Sequence, residues 1–421
     1  MRIGKAVTGL IVVSIVAVTA CGSGGNAGSS SLSTVQGATG TTVDVYSSLP
    51  FHGPSNTQTH ALVDGIRLAL EQAGGKAGRY TVHYTSLDDS TAAAGTWAPR
   101  QTAANARKVA IDPKAVYYMG ELNSGGSEIS IPILNQAGIA MVSPANTYVG
   151  LTTRLPGSRR GEPAKYYPTG RRNYLRIVPI DSIQAAADLI AMKQAGCTKV
   201  ALAHDDEVDG AGLARVLELE KRLYGVTIVS DTAVNSTAPS FRYYARTIRA
   251  ARADCFFFSG IASRGAVRIT EDVNAALPKA KVFGSDGVCT ASYTAQSKGG
   301  VPADIDPLME CTVATQNLSA SPGGRAFQAA YKARYGPAPP DPDAIYGYEA
   351  MKLGLDTIAK AGDSKSGVLA ALFATRDRRS VLGAYGFDAN GDTTLRSYGL
   401  YKVKAGEPVF DETITPTKTL H

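Results

Sequence analysis

Residues 199–259 read KVALAHDDEVDGAGLARVLELEKRLYGVTIVSDTAVNSTAPSFRYYARTIRAARADCFFFS. Lys199–His204 and Cys255–Ser259 are short apolar runs and Thr227–Thr232 is rich in β-branched residues, so all three predict strands. Gly212–Leu223 and Phe241–Ala251 have helical spacing. Strands separated by helices of this length make parallel βαβ units. The pattern extends downstream through helix Arg264–Ala276 and strand Lys281–Gly284, and upstream through strand Leu175–Pro179 and helix Ile183–Ala195. A first run has the same grammar. Its strands are Thr42–Ser48, Tyr80–Leu87, Ala115–Gly120 and Ile139–Ser143, and its helices are Gln58–Ala73, Arg100–Ile111 and Ser127–Ala137. Two runs, 42–144 and 175–287, predict an α/β protein with two doubly wound, Rossmann-like domains. The Pro-, Gly-, Arg- and Tyr-rich stretch 145–174 reads as a surface excursion, functional or mobile. Beyond Cys311, helices are predicted at Arg325–Tyr335, Ala344–Ala361 and Gly367–Ala374, then a hairpin around Phe387–Asp392 with an Asn-Gly turn.

At 421 residues, 44% hydrophobic and 19% charged, the chain has ordinary globular composition for two or three domains. A mainly disordered chain, a collagen and a polytopic membrane protein are excluded. Net charge is +7, Arg2 and Lys5 supply two of the positive charges, and the other basic residues are scattered, so nucleic-acid binding has no support. Arg2 and Lys5 precede an apolar run, Val7–Ala20, too short for a comfortable membrane span. It ends Val18-Thr19-Ala20-Cys21, which resembles a bacterial lipobox: 1–20 would be a lipoprotein signal peptide and Cys21 the acylated N-terminus. Residues 21–41 are Gly-, Ser- and Thr-rich and read as a flexible tether with a reach of roughly 25 Å. The expected location is the outer face of the cell membrane, held by lipid.

Cys197, Cys255, Cys289 and Cys311 remain. An even number in an exported chain points to two disulfides with three possible connectivities. Cys197 and Cys255 flank strands that neighbour each other in a doubly wound sheet, so Cys197–Cys255 and Cys289–Cys311 are expected; buried free thiols are the alternative. Zinc lacks its C-x₂-C and H-E-x-x-H spacings, so no metal is expected. G-x-S-x-G, the P-loop and G-x-G-x-x-G are absent, so neither catalytic residues nor a cofactor are expected. Asp388-x-Asn390-x-Asp392 lacks the glycine and glutamate of a calcium loop. What remains is polar residues at the carboxyl ends of strands, where open α/β sheets bind ligands. These are Asn123-Ser124-Gly125-Gly126-Ser127, Pro144-Ala145-Asn146-Thr147 and Asp286. Each taken singly is equally a helix cap or a turn residue.

Together these residues resemble the type I periplasmic binding proteins, specifically the branched-chain amino-acid receptors of ABC importers. The markers are Gly53-Pro54, Gly65, Gly120–Ser124, Val142–Thr147, Leu175-Arg176-x₂-Pro179-x-Asp181-x₂-Gln184, Lys199-Val200-Ala201 with Asp205-Asp206, Gly284–Gly287 and Phe387-Asp388-x₂-Gly391-Asp392. The resemblance implies two lobes joined by three crossovers with a ligand cleft between them: 42–178 plus 312–380, and 179–311 plus 381–416. It implies a non-enzymatic receptor whose closure on a small molecule, an amino acid or a relative, is read by an ABC permease. Ser124 and Thr147 would hold the ligand carboxylate. The Ala145 carbonyl, Thr147 and, from the other lobe, Asp286 would meet the ammonium. Tyr346 and Tyr348 are either pocket aromatics or helix core. Gln58 stands where the family has an aromatic, and Asp209 where it often has Tyr. At the cleft, Asp209 would disfavour an aliphatic side chain and favour a polar or cationic one; otherwise it caps a helix. A lobe that senses amides or other small molecules without transport is the alternative, and a surface enzyme a more distant one.

Overall fold

The computed structural model describes residues 41–420; the 1–20 leader, Cys21 and all but the last residue of the 21–41 tether lie outside the described residues. The first half forms β1 (Thr42–Leu49), α1 (Asn56–Gln72), β2 (Lys76–Ala77), β3 (Tyr80–Asp88), β4 (Ser90–Thr91), β5 (Thr96–Trp97), α2 (Pro99–Ala110), β6 (Ala115–Gly120), α3 (Ser124–Gln136), β7 (Ala140–Ser143) and β8 (Tyr174–Arg176). Six of these strands make one sheet in the order β2-β3-β1-β6-β7-β8, parallel from β3 to β8. The next stretch forms α4 (Asp181–Gln194), β9 (Lys199–His204), α5 (Val208–Tyr224), β10 (Thr227–Ala233), α6 (Arg242–Ala250), β11 (Cys255–Ser259), α7 (Arg264–Ala276), β12 (Lys281–Gly284), α8 (Ala291–Thr294) and β13 (Met309–Val313). The chain then makes α9 (Pro322–Tyr335), α10 (Ala344–Ala361), α11 (Lys365–Phe373), a small hairpin of β14 (Arg378–Ser380) and β15 (Gly383–Tyr385), and β16 (Tyr398–Lys404) and β17 (Glu407–Ile414). The second sheet runs β10-β9-β11-β12-β13-β16-β17, with β16 and β17 antiparallel.

These are two doubly wound lobes. The chain passes between them three times, after β8, after β13 and between β15 and β16. Each sheet winds outward from a strand early in its run: β1 lies between β3 and β6, and β9 between β10 and β11. At those points the following loops diverge and leave a crevice beyond the carboxyl ends of the strands. The fully buried Phe256, Phe257 and Phe258 of β11 explain why that strand reads as a continuous apolar run. Ser263, Ser321 and Ser364 cap α7, α9 and α11 by accepting from the backbone N–H three residues on. Although α10 lies far along the chain, it packs against α1. Gly65 faces the Ala344 carbonyl and Gly347 the Leu62 carbonyl, and a Cβ at either would collide with the partner backbone.

Three expectations change. The strand read as Leu175–Pro179, opening the second run, is Tyr174–Arg176 and closes the first sheet beside β7. The expected hairpin at 387–392 reduces to one bridge, Phe387 to Thr393, around a turn in which Asp388 Oδ1 accepts from the N–H groups of Asn390 and Asp392. Stretch 145–174 is not a loose excursion, because Tyr148, Val149, Leu151, Tyr166 and Tyr167 are buried in a common cluster. Its hub is Glu162, whose carboxylate accepts from Tyr148 (2.7 Å), Tyr166 (2.7 Å) and the Arg159 amide (2.6 Å) and meets Lys165 at 3.1 Å. Burial opposes the charge, but these donors prevail and bring the carboxyl down to about 2.

Cys197 pairs with Cys255, and Cys289 with Cys311, at Cα separations of 5.7 and 5.5 Å. Replacing either pair with Ser should lower stability by about 2–4 kcal/mol, measured by denaturant unfolding. Peptide mapping without reductant should recover both linked fragments. Free thiols in the oxidised protein would refute the pairing.

Candidate functional site

Two loops from the first lobe share one edge because Asn146 ties them together. Its side-chain amide donates to the carbonyls of Glu121 (3.0 Å) and Leu122 (2.8 Å), and its Oδ1 accepts from Ser127 and Tyr174. Ser143 adds a bond to the Glu121 carbonyl at 3.0 Å. The β6 loop and the β7 loop are thereby locked, with Ser124 at the first turn of α3 and Thr147 beside it.

The second lobe is braced in the same way. Asp205, just after β9, accepts from the amides of Glu207 (3.1 Å) and Ile261 (2.8 Å), joining the loops after β9 and β11. Gly210 sits against Asp205 and the Ser259 carbonyl, where a Cβ has no room. This close seat points the first turn of α5 at the other lobe. Asp209 Oδ1 then accepts from Thr147 Oγ1 at 2.7 Å and Ser124 Oγ at 3.3 Å. Trp97 Nε1 donates to Glu207 at 3.0 Å, and Arg215 Nε to the Gly157 carbonyl at 3.1 Å. The lobes are in contact through side chains, and the cleft is shut.

A cavity of about 40 Å³ remains between them. At ~10–15 Å³ per water it holds a few waters, far less than a free amino acid. Ser124, Ala145, Thr147, Asp209, Asp286 and Tyr346 all line it, as does Gln58. Tyr348 does not: its hydroxyl donates to Gln72 at 2.6 Å and its ring meets Phe327 edge-on, so it is a helix-packing residue. Asp209 does not cap its own helix; its recorded partners lie across the cleft. The hydroxyls expected to receive a ligand carboxylate already hold the carboxylate of Asp209. Asn123, read in the sequence as part of the β6 loop, lines it too, and the acidic lining residue absent from the set read in the sequence is Asp343. Asp343 has a signal in Pro340-Asp341-Pro342-Asp343, immediately before α10. A wider groove of about 990 Å³ lies between residues 152–183 and 388–396, but it is open to solvent on the outer surface. Facing groups from the β6, β7, β9 and β12 loops converge only on the cleft.

The cleft is acidic. Asp209, Asp286 and Asp343 line it, and no Lys, Arg or His does. Burial, then the charge of Asp209, pushes the Asp286 carboxyl up to about 7, although Gln184 Nε2 donates to it at 2.9 Å. Burial likewise raises Asp209 and Asp343. Behind them the fully buried Asp181 has no hydrogen-bond partner on either oxygen, and burial, then Asp209, raises it well above the usual range. The nearby cation, Arg176, is committed to Asp392 at 2.7 Å and the Tyr148 carbonyl at 2.8 Å.

Two lobes that meet across a polar cleft are the architecture of a protein that closes on a small molecule. Residues 47–408 match the periplasmic binding protein family, and the chain belongs to it. A Leu/Ile/Val-binding protein of Rhizobium johnstonii is 25% identical over 370 residues, covering 86% of this chain and 92% of that protein. A leucine-binding protein of Thermotoga maritima superposes with a TM-score of 0.76 at 21% identity, over 89% of this chain and 99% of its own. An ABC-transporter solute-binding protein of R. palustris, in complex with benzoate, gives 0.72 at 20% identity, over 90% and 98%. The family is one of periplasmic binding proteins, and these relatives are ligand-binding proteins, the R. palustris one belonging to an ABC transporter. Among the described residues no helix is long and apolar enough to cross a membrane.

Proposed function

We propose that this chain is a lipid-anchored solute receptor on the outer face of the cell membrane, closing on an amino acid or a related amine and presenting the closed form to an ABC permease. Cys21 carries the lipid and 21–41 is the tether. The lobes divide as 42–178 plus 312–380 and 179–311 plus 381–416. The observation that carries this reading is the cavity lined from both lobes, with Asp209 of one bonded to Thr147 and Ser124 of the other. A ligand that touches both walls of such a cavity turns its binding energy into closure. Asp286 is the ammonium partner, and Ser124, Ala145 and Thr147 form the opposing wall. An aromatic acid is the second reading, favoured by the benzoate-bound neighbour and opposed by the three carboxylates.

The test has two arms. A thermal-shift screen of amino acids, amides, amines and aromatic acids should give one class that raises the melting temperature; a flat profile across all four would defeat the receptor reading. Cys21→Ser should move the protein out of the membrane fraction or leave it unprocessed. An unmodified Cys21 in the native protein, seen by mass spectrometry, would remove the anchor.

A further inference from the structure

This cleft is lined by three carboxyl groups and by no basic side chain. Asp209 and Asp286 enter from the second lobe, and Asp343, at the start of α10, from the first. Asn123 also lines the cavity, is only 7% exposed, and has an Oδ1 without a hydrogen-bond partner. Of the lining hydroxyls, those of Ser124 and Thr147 are taken by Asp209, which leaves that of Tyr346. A zwitterion fits poorly. Its single ammonium would face three carboxylates, and its own carboxylate would compete with Asp209 for the same hydroxyls. Asp343 and Asp286 also repel each other across the cleft when both are ionised, and a cation at each would let both ionise while the lobes stay together.

We propose that the solute is an organic cation with at least two amine centres and no carboxylate, an aliphatic diamine or polyamine, held between Asp286 and Asp343 with Asn123 Oδ1 accepting a further N–H. This rests on the receptor reading above and narrows its ligand. One ammonium pairs with Asp286 on the second lobe and the other with Asp343 on the first, so the ligand bridges the lobes and converts their repulsion into attraction. Asp209 keeps its bonds to Ser124 and Thr147 and blocks the subsite that a carboxylate would need. The cavity must widen from its present 40 Å³ to admit such a chain.

Isothermal titration calorimetry on the full-length protein in detergent tests this with a matched pair, L-lysine and 1,5-diaminopentane, which differ only by the carboxylate. Spermidine, L-leucine and benzoate complete the set. The diamine or spermidine should bind at least tenfold more tightly than lysine, with leucine and benzoate weaker still. Asp286→Asn and Asp343→Asn should each weaken amine binding at least tenfold without lowering the melting temperature of the free protein, because each replaces a half-buried carboxyl by a neutral isostere. Lysine equal to or tighter than the amines, or leucine or benzoate tightest, overturns the cation assignment and leaves the receptor reading standing. Silence from all five, in a protein whose screen also shows no ligand, defeats both.

Discussion

Arg176→Met should cost about 3–5 kcal/mol of stability, the usual result of breaking a buried ion pair from one side. Arg176 ends β8 and is fully buried. Its Nε donates to Asp392 Oδ1 at 2.7 Å, its Nη1 to the carbonyls of Tyr148 (2.8 Å) and Asn146 (3.3 Å), and its Nη2 to Thr152. Thr152 in turn donates to Asp392 at 3.0 Å. One guanidinium therefore joins the first sheet, stretch 145–174 and the turn after β15. Methionine fills much of the volume but leaves the charge of Asp392 uncompensated and removes the guanidinium donors from two carbonyls. Arg176→Lys should not rescue, because an ammonium cannot serve this fork of acceptors. Adding Asp392→Asn to Arg176→Met should restore part of the loss by removing the stranded charge. Urea unfolding reads this as a lower midpoint at constant slope. A loss below about 1 kcal/mol would mean the cluster is no stronger than a surface pair.

The free protein should be most stable near pH 4–5 and should lose stability as the pH rises toward 8. Burial pushes Asp205 up to about 8 and Asp286 to about 7, and raises Asp181, Asp188, Asp209 and Asp343. An acid whose pKa is raised by folding binds its proton more firmly in the folded state. Between its ordinary value near 4 and the raised value, folding therefore weakens with increasing pH, by ~1.4 kcal/mol per pH unit for each group titrating. The groups facing Asp286 do not reverse this: Gln184 donates to it, while Asp209, Asp188 and Asp181 add like charge. Glu162 has the opposite sign, since its lowered carboxyl gives stability that is lost as the pH falls from about 4.5 toward 2. The two trends leave a maximum between them. A melting temperature that rises from pH 5 to pH 8 would refute the acidic-cleft account.

What the sequence made legible follows from how local each signal is. Ala115–Gly120, Lys199–His204, Cys255–Ser259, Arg264–Ala276, Lys281–Gly284 and Ala344–Ala361 have the bounds read from periodicity and composition alone. Helices α3 and α5 begin earlier than read, at Ser124 and Val208, because glycines in their first turns hide the helical pattern. Those glycines answer to packing: Gly126 lies against Glu121, Gly210 against Asp205 and Gly212 against Tyr148. Strands β16 and β17 were not read, since their alternation makes sense only beside β13. At the site, residues just past a strand could be found because the fold class says where ligands bind. Asp343 follows no strand of its sheet, and the Asp-Pro-Asp run that marks it in the sequence does not say which cleft it enters, since it arrives on chain that returns from the second sheet. The partnership of Asp209 with Thr147 and Ser124, which spans 62 and 85 residues of sequence, could not be found.

Trp97 is the only tryptophan in the chain, and its indole N–H crosses the cleft to Glu207. Separation of the lobes must break that bond and expose the ring to water. The protein thus carries an intrinsic fluorophore at its moving joint. A red shift of its emission on opening, and a blue shift on ligand capture, would time the motion by stopped flow with no label and no background from other indoles.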